Sequence, residues 1–584
     1  MDPFLVAAKS IYWYFCFLDD VDEEGDMQIT RRAAAKFFAA GATAAVLPGS
    51  LLAQTPPVRM PLKDFVADTR LLTALRQGVA AMKARKPSDP LSWFYQAAIH
   101  GVTDQLICEQ GSKDPLVFKV DRAKYWNQCP HKGENSANFL PWHRGYTYHF
   151  EQILRMHTGL ADFALPYWDY AQPDQREFPR AFGIQHLDGN PTNDVPANIN
   201  PLFHAERDYF LCGYEHPFTD QLPLTELSSR AVDVSRAMAC PVFFGDTESN
   251  GVGGGIADSD SSTRGLLEQS PHDQIHRSVG GNVQGTDGDG NTSFAIGGMA
   301  TPPTAGFDPI FPVHHANMDR LWARWSCMPG KSWGLLPDAA WFDERPWFFF
   351  DTSGKEVNRP RRDYFDREAL GVRFRDDDAS CKPLQLPTPT PTMTEMRNMA
   401  GASRLLSSQS LSASAPISAS PTQPTAVPLV LAAEEAAPPN KSFGFDFRSL
   451  QASGERIVLT LHQVEIGRTG STGFDVFLVK RGTDATSLRR DGASYLGPVS
   501  LFNHRSDGML DIEQTFDLTA ALGALDRTTL AGLDLLFVPY ALTSAPKVST
   551  LPVNLEARRL DAGGFTVTRM PRKEMMRITS GRHH

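Results

Sequence analysis

The sequence predicts a multidomain protein: a mainly α-helical-bundle core threaded by long loops, followed by a C-terminal β-sandwich. Three observations predict it. At 584 residues the chain exceeds what one hydrophobic core ordinarily organises. Apolar residues recur at helical spacing in segments that carry histidines. Beyond a stretch rich in Pro, Ser, Thr and Ala, the pattern changes to apolar–polar alternation. The boundaries that follow are a leader over 1–54, a core over 55–383, a linker over 384–440, and the β domain with its tail over 441–584.

In the leader, Thr30-Arg31-Arg32-Ala-Ala-Ala-Lys36 precedes an Ala-rich apolar run from Phe37 to Ala53. A twin-Arg segment before a modest apolar stretch predicts Tat export to a periplasmic or secreted location. Pro48 breaks the run, so no stable membrane span is expected. Such a signal would begin near Met27, and residues 1–26 have no assigned physical role.

In the core, residues 92–100 predict a helix ending at His100. Tyr146, Phe150, Ile153 and Leu154 predict a second over 142–156. Ser270-Pro271 begins a third that carries His272 and His276, and Pro312 precedes a fourth over 313–325. The 45 Gly and 43 Pro predict long loops between them. The stretch 384–440 cannot bury a core and reads as a linker. Strand patterns follow at Arg456–His462, Gly473–Val479 and Leu535–Tyr540.

The net charge of −10 and the lack of a basic stripe exclude nucleic acid as a natural partner. Of seven cysteines, Cys16 goes with the leader; Cys212 with Cys240, or Cys327 with Cys381, are candidate disulfides.

Six histidines fall into two groups: His100, His131 and His143, then His272, His276 and His315. His272 and His276 share a helix face at i, i+4. His314 points about a quarter turn from His315 and is expected to pack rather than ligate. His149 points away from His143 and is left out. Neutral nitrogen ligands without an obvious carboxylate or thiolate suit copper, here two copper ions.

The residues resemble the type-3 copper family of tyrosinases, catechol oxidases (plant-type polyphenol oxidases) and hemocyanins. Asp308-Pro309-Ile310-Phe311, then His315 and Asp319, match the family's second-half signature, with Pro312 at a normally apolar position. Phe139-Leu-Pro-Trp-His143-Arg144 and Asp89 to His100 look like its first-half helices. Trp341-Phe-Asp, Phe349-Phe-Asp351 and Gly473-Phe-Asp-Val-Phe477 extend the likeness over roughly residues 60–570.

The resemblance implies further roles. Cys129-Pro-His131 fits a Cys–His thioether of the fungal arrangement, since the plant position is Asp104 here; a Cys108–Cys129 disulfide or a thiol is the alternative. Glu268 would hold a water near the coppers, and Asp273 would orient it. Pro302 stands where plant relatives carry a Phe gate. The implied function is O2-dependent oxidation of o-diphenols to o-quinones, with or without prior o-hydroxylation of monophenols, in a proenzyme shielded by its C-terminal domain. The expected partners are a phenolic small molecule and O2. A hemocyanin-like O2 carrier or an o-aminophenol oxidase are the alternatives.

Overall fold

The structure, a computed structural model, describes residues 57–130, 136–214, 223, 225–245, 251–255, 264–286, 292–337, 339–386, 409–413, 416–429, 456–466, 472–500, 502, 512–525, 530, 532–544, 560–562 and 564–570. The twin-Arg leader, His131, residues 387–408 of the linker and the tail beyond 570 lie outside the described residues. The chain divides into two units, Met1–Pro56 with Thr286–Asn291, and Pro57–Gly285 with Thr292–His584. Of the first, only Thr286 is described; everything below belongs to the second.

Six helices position the core. Helix α1 (Thr69–Lys83) starts at Asp68, whose carboxylate accepts from the Arg70 and Leu71 amides. Its buried Leu71, Leu75, Val79 and Met82 recur at helical spacing. Helix α2 (Trp93–His100) is capped by the Ser92 hydroxyl, which satisfies the Tyr95 amide. Helix α3 (Phe139–Thr158) carries Pro141 in its first turn, where a missing N–H costs nothing, and stops at Gly159 with φ +69°. Helix α4 (Asp273–Val279), the short α5 (Pro302–Ala305) and α6 (Phe311–Cys327) complete the set.

The second and fourth predicted helices are longer than expected by a few residues at each end. The third starts later than expected. Ser270 is extended (φ −154°, ψ 126°), because Pro271 disfavours a helical residue before it. Glu268–His272 therefore forms a wide turn, and α4 starts at Asp273.

Helices α3 and α6 are joined by buried charge. Asp319 accepts from Arg144 at 2.7 Å and from Arg59 at 3.1 Å, and Arg59 also holds Glu151 at 2.7 Å. A disulfide joins Cys327 at the end of α6 to Cys381, one of the two candidate pairings; Cys212 and Cys240, the other, do not form a disulfide.

The C-terminal region contains two sheets. Its strands are β1 (Gln409–Ala413), β2 (Ile417–Ala419), β3 (Thr425–Pro428), β4 (Arg456–Ile466), β5 (Thr472–Lys480), β6 (Tyr495–Pro498), β7 (Ile512–Asp517), β8 (Leu533–Ala541), β9 (Leu560–Ala562) and β10 (Gly564–Met570). Among the described residues one sheet runs β1-β10-β4-β9-β2, with β7 also on β4; the other runs β3-β8-β5-β6. Leu459, Leu461 and Val567 of the first share one apolar core with Phe474, Val476, Leu535 and Phe537 of the second. The alternation that predicts strands is the alternation that fills this core.

The linker expectation needs correction over 409–428. These residues form β1, β2 and β3, which pair with β10, β9 and β8. Ile417 and Ala419 are buried two residues apart, enough for an edge strand although the composition is poor in large apolar residues. No helix among the described residues is long and apolar enough to cross a membrane.

Candidate metal centre

Two groups of buried metal-ligating side chains lie side by side. One is His100, Cys129 and His143; the other is His272, His276, His314 and His315, and within each group the ligating atoms lie within 4.8 Å of one another. The groups abut: the His143 ring stacks on His315 at 4.1 Å and 6°. Phe311 packs on His100 at 4.6 Å and on His315 at 4.3 Å; Phe139 packs on His143 at 4.5 Å and His272 at 4.6 Å. The helices place them simply. His100 ends α2, His143 lies one turn into α3, and His314 and His315 lie one turn into α6.

One ring nitrogen of each key histidine is committed to the protein. His100 Nδ1 donates to the Pro302 carbonyl at 3.0 Å, His143 Nδ1 to Phe139 at 2.8 Å, and His276 Nδ1 to Met299 at 2.7 Å. A carbonyl only accepts, so each neutral ring carries its proton on Nδ1 and its lone pair on Nε2. His272 Nδ1 meets Asp273 Oδ1 at 2.8 Å. Burial lowers His100 to about 3 and holds His143, His276 and His315 well below the ordinary imidazole range.

The test of fit to copper is what the remaining nitrogens do. His276 Nε2, His314 Nε2 and both nitrogens of His315 are buried with no hydrogen-bond partner among the described residues. Buried polar atoms ordinarily find partners. Carbonyl acceptors leave the Nε2 lone pairs of His100, His143 and His276 unprotonated, and each neutral ring of His314 and His315 keeps one lone pair as well; neutral imidazole nitrogens are the donor set a soft-to-borderline cation requires, so the residues fit copper.

Of the residues singled out from sequence, His100, His143, His272, His276 and His315 come together; His131 lies outside the described residues. Cys129 is buried, with its sulfur 3.5 Å from His143 Nε2. His314 differs from expectation. Its ring enters the second group, and its Nδ1 lies 3.3 Å from the Tyr170 hydroxyl. A quarter turn of helix separates the Cβ directions of neighbours, but an imidazole at the mouth of a packed core can still reach the same space.

Glu268, Asp273 and Arg264 form one buried cluster. Arg264 Nη1 donates to Glu268 Oε1 at 2.7 Å, and its Nε lies 3.3 Å from Asp273 Oδ2. Burial raises the Glu268 and Asp273 carboxyls, with Arg264 pulling both down. Pro302 brings no ring to the position where the plant relatives' Phe gate is expected. It is buried at the start of α5, and its carbonyl anchors His100.

The ring over the second group comes from the C-terminal region. Phe502 stacks on His276 at 4.0 Å and 23°, and meets His272 edge-on at 5.4 Å. Arg264 Nη2 donates to the Phe502 carbonyl, and Ser500 donates its hydroxyl to Asp273. The Tyr540 hydroxyl donates to Gln274 Oε1 at 2.9 Å. Neither Phe502 nor Arg264 is singled out by sequence pattern. Each sits in a segment without periodicity, and only long-range packing brings it to the site.

Helices of the core hold two abutting groups of buried imidazoles, and a ring from the C-terminal region stacks on the second group. Residues 90–328 match the common central domain of tyrosinase. The chain is 30% identical over 317 residues to a tyrosinase of Hahella sp. (strain CCB-MM4), covering 51% of this chain and 59% of that protein. It is 27% identical over 404 residues to a chloroplastic polyphenol oxidase of Malus domestica, covering 68% of this chain and 61% of that one. A latent-form polyphenol oxidase of Prunus armeniaca matches at 26% over 541 residues, covering 88% and 78%. The chain thus spans less than two thirds of the length of the first two relatives. The solved structure of latent apple tyrosinase shares the fold, with a TM-score of 0.51 and 21% identity over 88% of this chain and 97% of that one. Over residues 90–328 the chain is similar to the tyrosinase central domain, over most of its length it is similar to plant polyphenol oxidases, and it shares the fold of a latent tyrosinase.

Proposed function

We propose that this chain oxidises o-diphenols to o-quinones with O2 at two copper ions, with o-hydroxylation of monophenols as a second activity, and that it is made as a latent form. The observation that carries the reading is the pair of abutting imidazole groups with Nδ1 committed and Nε2 turned inward. His100, His131 and His143 would hold one ion, and His272, His276 and His315 the other. Bound copper supplies the redox chemistry with O2. The chain's own residues do the rest. Phe139 and Phe311 keep the rings apart and the pocket dry. Asp273 orients His272 through Nδ1. A carboxyl raised by burial is the better base, so Glu268 is suited to take a phenol proton or to hold the water that does.

The His276 face is where a phenol ring would lie, and Phe502 fills it. This contact is the basis of latency. The spacing of Cys129 to His131 supports a thioether that would restrain one ligand ring. The Arg31-Arg32 segment before its apolar run supports Tat export of a folded, metal-loaded chain; lysine in place of both arginines should hold the protein in the cytoplasm on cell fractionation.

The deciding experiment is copper reconstitution of the full chain, followed by catechol and monophenol turnover before and after mild detergent. Quinone formation that rises on opening supports the reading. A copper-loaded, opened chain that binds O2 without oxidising catechol would instead identify a carrier. Glu268→Gln should slow monophenol hydroxylation more than catechol oxidation, because catechol ionises more readily; equal losses would show that Glu268 only shapes the pocket.

A further inference from the structure

Arg236 lies in the first turn of the short helix Ser235–Ala239. The residue as a whole is half-buried, but its Nη1 is buried with no hydrogen-bond partner among the described residues. The guanidinium lies over the Tyr495 ring at 5.3 Å, and Nη1 sits beside Gly497, where a Cβ would stand 2.7 Å from it. Burial holds the group below the ordinary arginine range, and the acidic side chains farther off, Asp517 and Asp475, offset this only in part.

A small cavity lies at that place. It measures about 20 Å³, room for one occupant the size of a water molecule or a monatomic ion. Asp233, Arg236 and Gln269 of the core line it from one side, and Arg490, Tyr495 and Pro498 of the C-terminal sheets from the other. The carboxylates within reach are already engaged. Asp475 holds Arg490 at 2.8 Å and Arg230 at 3.2 Å, and Asp233 Oδ2 holds Arg490 at 3.3 Å. Asp233 Oδ1 accepts from the Ser235 amide at 2.9 Å. Arg236 therefore has no carboxylate to itself among the described residues. A water molecule in the cavity would accept from Nη1 but leave the charge uncompensated, and a buried charge is costly unless it is paired. A monatomic anion both accepts from Nη1 and neutralises it, and a space of this size excludes a polyatomic one.

We propose that this cavity binds a monatomic anion of chloride size, held by Arg236 of the core and bordered by Arg490 and Tyr495 of the C-terminal sheets, and that the anion clasps the two parts together. The place suits a clasp. Gln269 stands three residues before His272, and β6 (Tyr495–Pro498) runs on to Ser500 and Phe502, which meet Asp273 and His276. The anion site is independent of the oxidase reading; its effect on latency rests on that reading.

The test compares the copper-loaded full chain in sodium chloride and in sodium gluconate at equal ionic strength, which holds general screening constant. The thermal midpoint should rise with the logarithm of chloride concentration, by about 1–3 °C per tenfold above the dissociation constant. Arg236→Met should abolish the rise. That variant removes a buried unpaired charge and keeps most of the side chain's length, so folding should survive it. Chloride acting at copper would act in the variant as well. A rise that persists in Arg236→Met, or no rise in the wild type, overturns the proposal. Crystals grown in sodium bromide give a second measurement: an anomalous peak beside Arg236 Nη1 is expected in the wild type, and its absence overturns the site. For the clasp, the detergent concentration that gives half-maximal catechol turnover should be about twofold or more higher in chloride than in gluconate, and equal in the two salts for Arg236→Met. A wild-type threshold that ignores chloride overturns the clasp. If the opened chain oxidises no catechol, the oxidase reading fails, while the thermal midpoint and the bromide peak still decide the anion site.

Discussion

His276 donates Nδ1 to the Met299 carbonyl, and its buried Nε2 has no hydrogen-bond partner among the described residues. Replacing it by alanine removes one of the nitrogens proposed for the second ion and leaves the first group intact. His276→Ala should lower copper from two ions per chain toward one and abolish catechol turnover; metal analysis alongside the assay checks both. His149 shows the contrasting fate of a histidine. It is buried, stacks on Phe349 at 5.2 Å and 20°, and lies 3.3 Å from the Tyr364 hydroxyl. Burial, with Arg359 nearby, lowers it to about 3. A depressed imidazole pKa means that the unfolded chain binds a proton the folded chain refuses. The contribution to stability is whole above the unfolded value near 6.5 and is lost as pH falls from there toward 3. The slope is at most about 1.4 kcal/mol per pH unit for one group. His149→Gln should make acid destabilisation shallower by about that slope, measured by denaturant unfolding at pH 7 and pH 5.

At the scale of elements, the centre depends on α3 and α6 keeping their relative position, since they carry His143 and His315. Their shared fastening is Asp319 with Arg144 and Arg59. Removing one member of a buried ion group strands the others. Asp319→Ala should cost about 3–5 kcal/mol of stability, seen as a lower thermal midpoint in the copper-free protein. The final Asp of the second-half signature thus acts by holding helices together. The first Asp, Asp308, does similar work through Arg207 at 2.5 and 2.7 Å.

At the scale of the whole second unit, the C-terminal sheets are held to the helical core by more than a tether. The Ser228 amide donates to Leu542 at 2.9 Å and the Ser544 amide to Glu226 at 2.7 Å. Asp475, fully buried, accepts from Arg490 at 2.8 Å and from Arg230 of the core at 3.2 Å. Protease cleavage within 387–408 should therefore leave the two pieces co-eluting on size exclusion. Catechol turnover should rise only when mild detergent releases the C-terminal piece. Phe502→Gly removes the ring from His276 without cutting the chain, and should raise turnover in the intact protein by tenfold or more, as loss of about 1.4 kcal/mol or more of lid contact implies. Unchanged turnover in that variant would show that the ring is not the barrier.

Much of the site could be read from sequence, because ligands are set by local spacing. His272 and His276 share a face through helical periodicity, and Asp308 to Asp319 places His315 in the first turns of α6. The helices and strands were legible for the same reason: period 3.6 or period 2 is a property of neighbouring residues. The edge strands of 409–428 were not, because Ser, Ala and Thr commit to a strand only when β8, β9 and β10 offer them a partner. Only tertiary structure decided that His314 enters the second group, that the Pro302 carbonyl anchors His100, and that Phe502 stacks on His276 and accepts from Arg264. Each depends on contacts between residues far apart in the chain, and no local pattern encodes which distant surface a loop will meet.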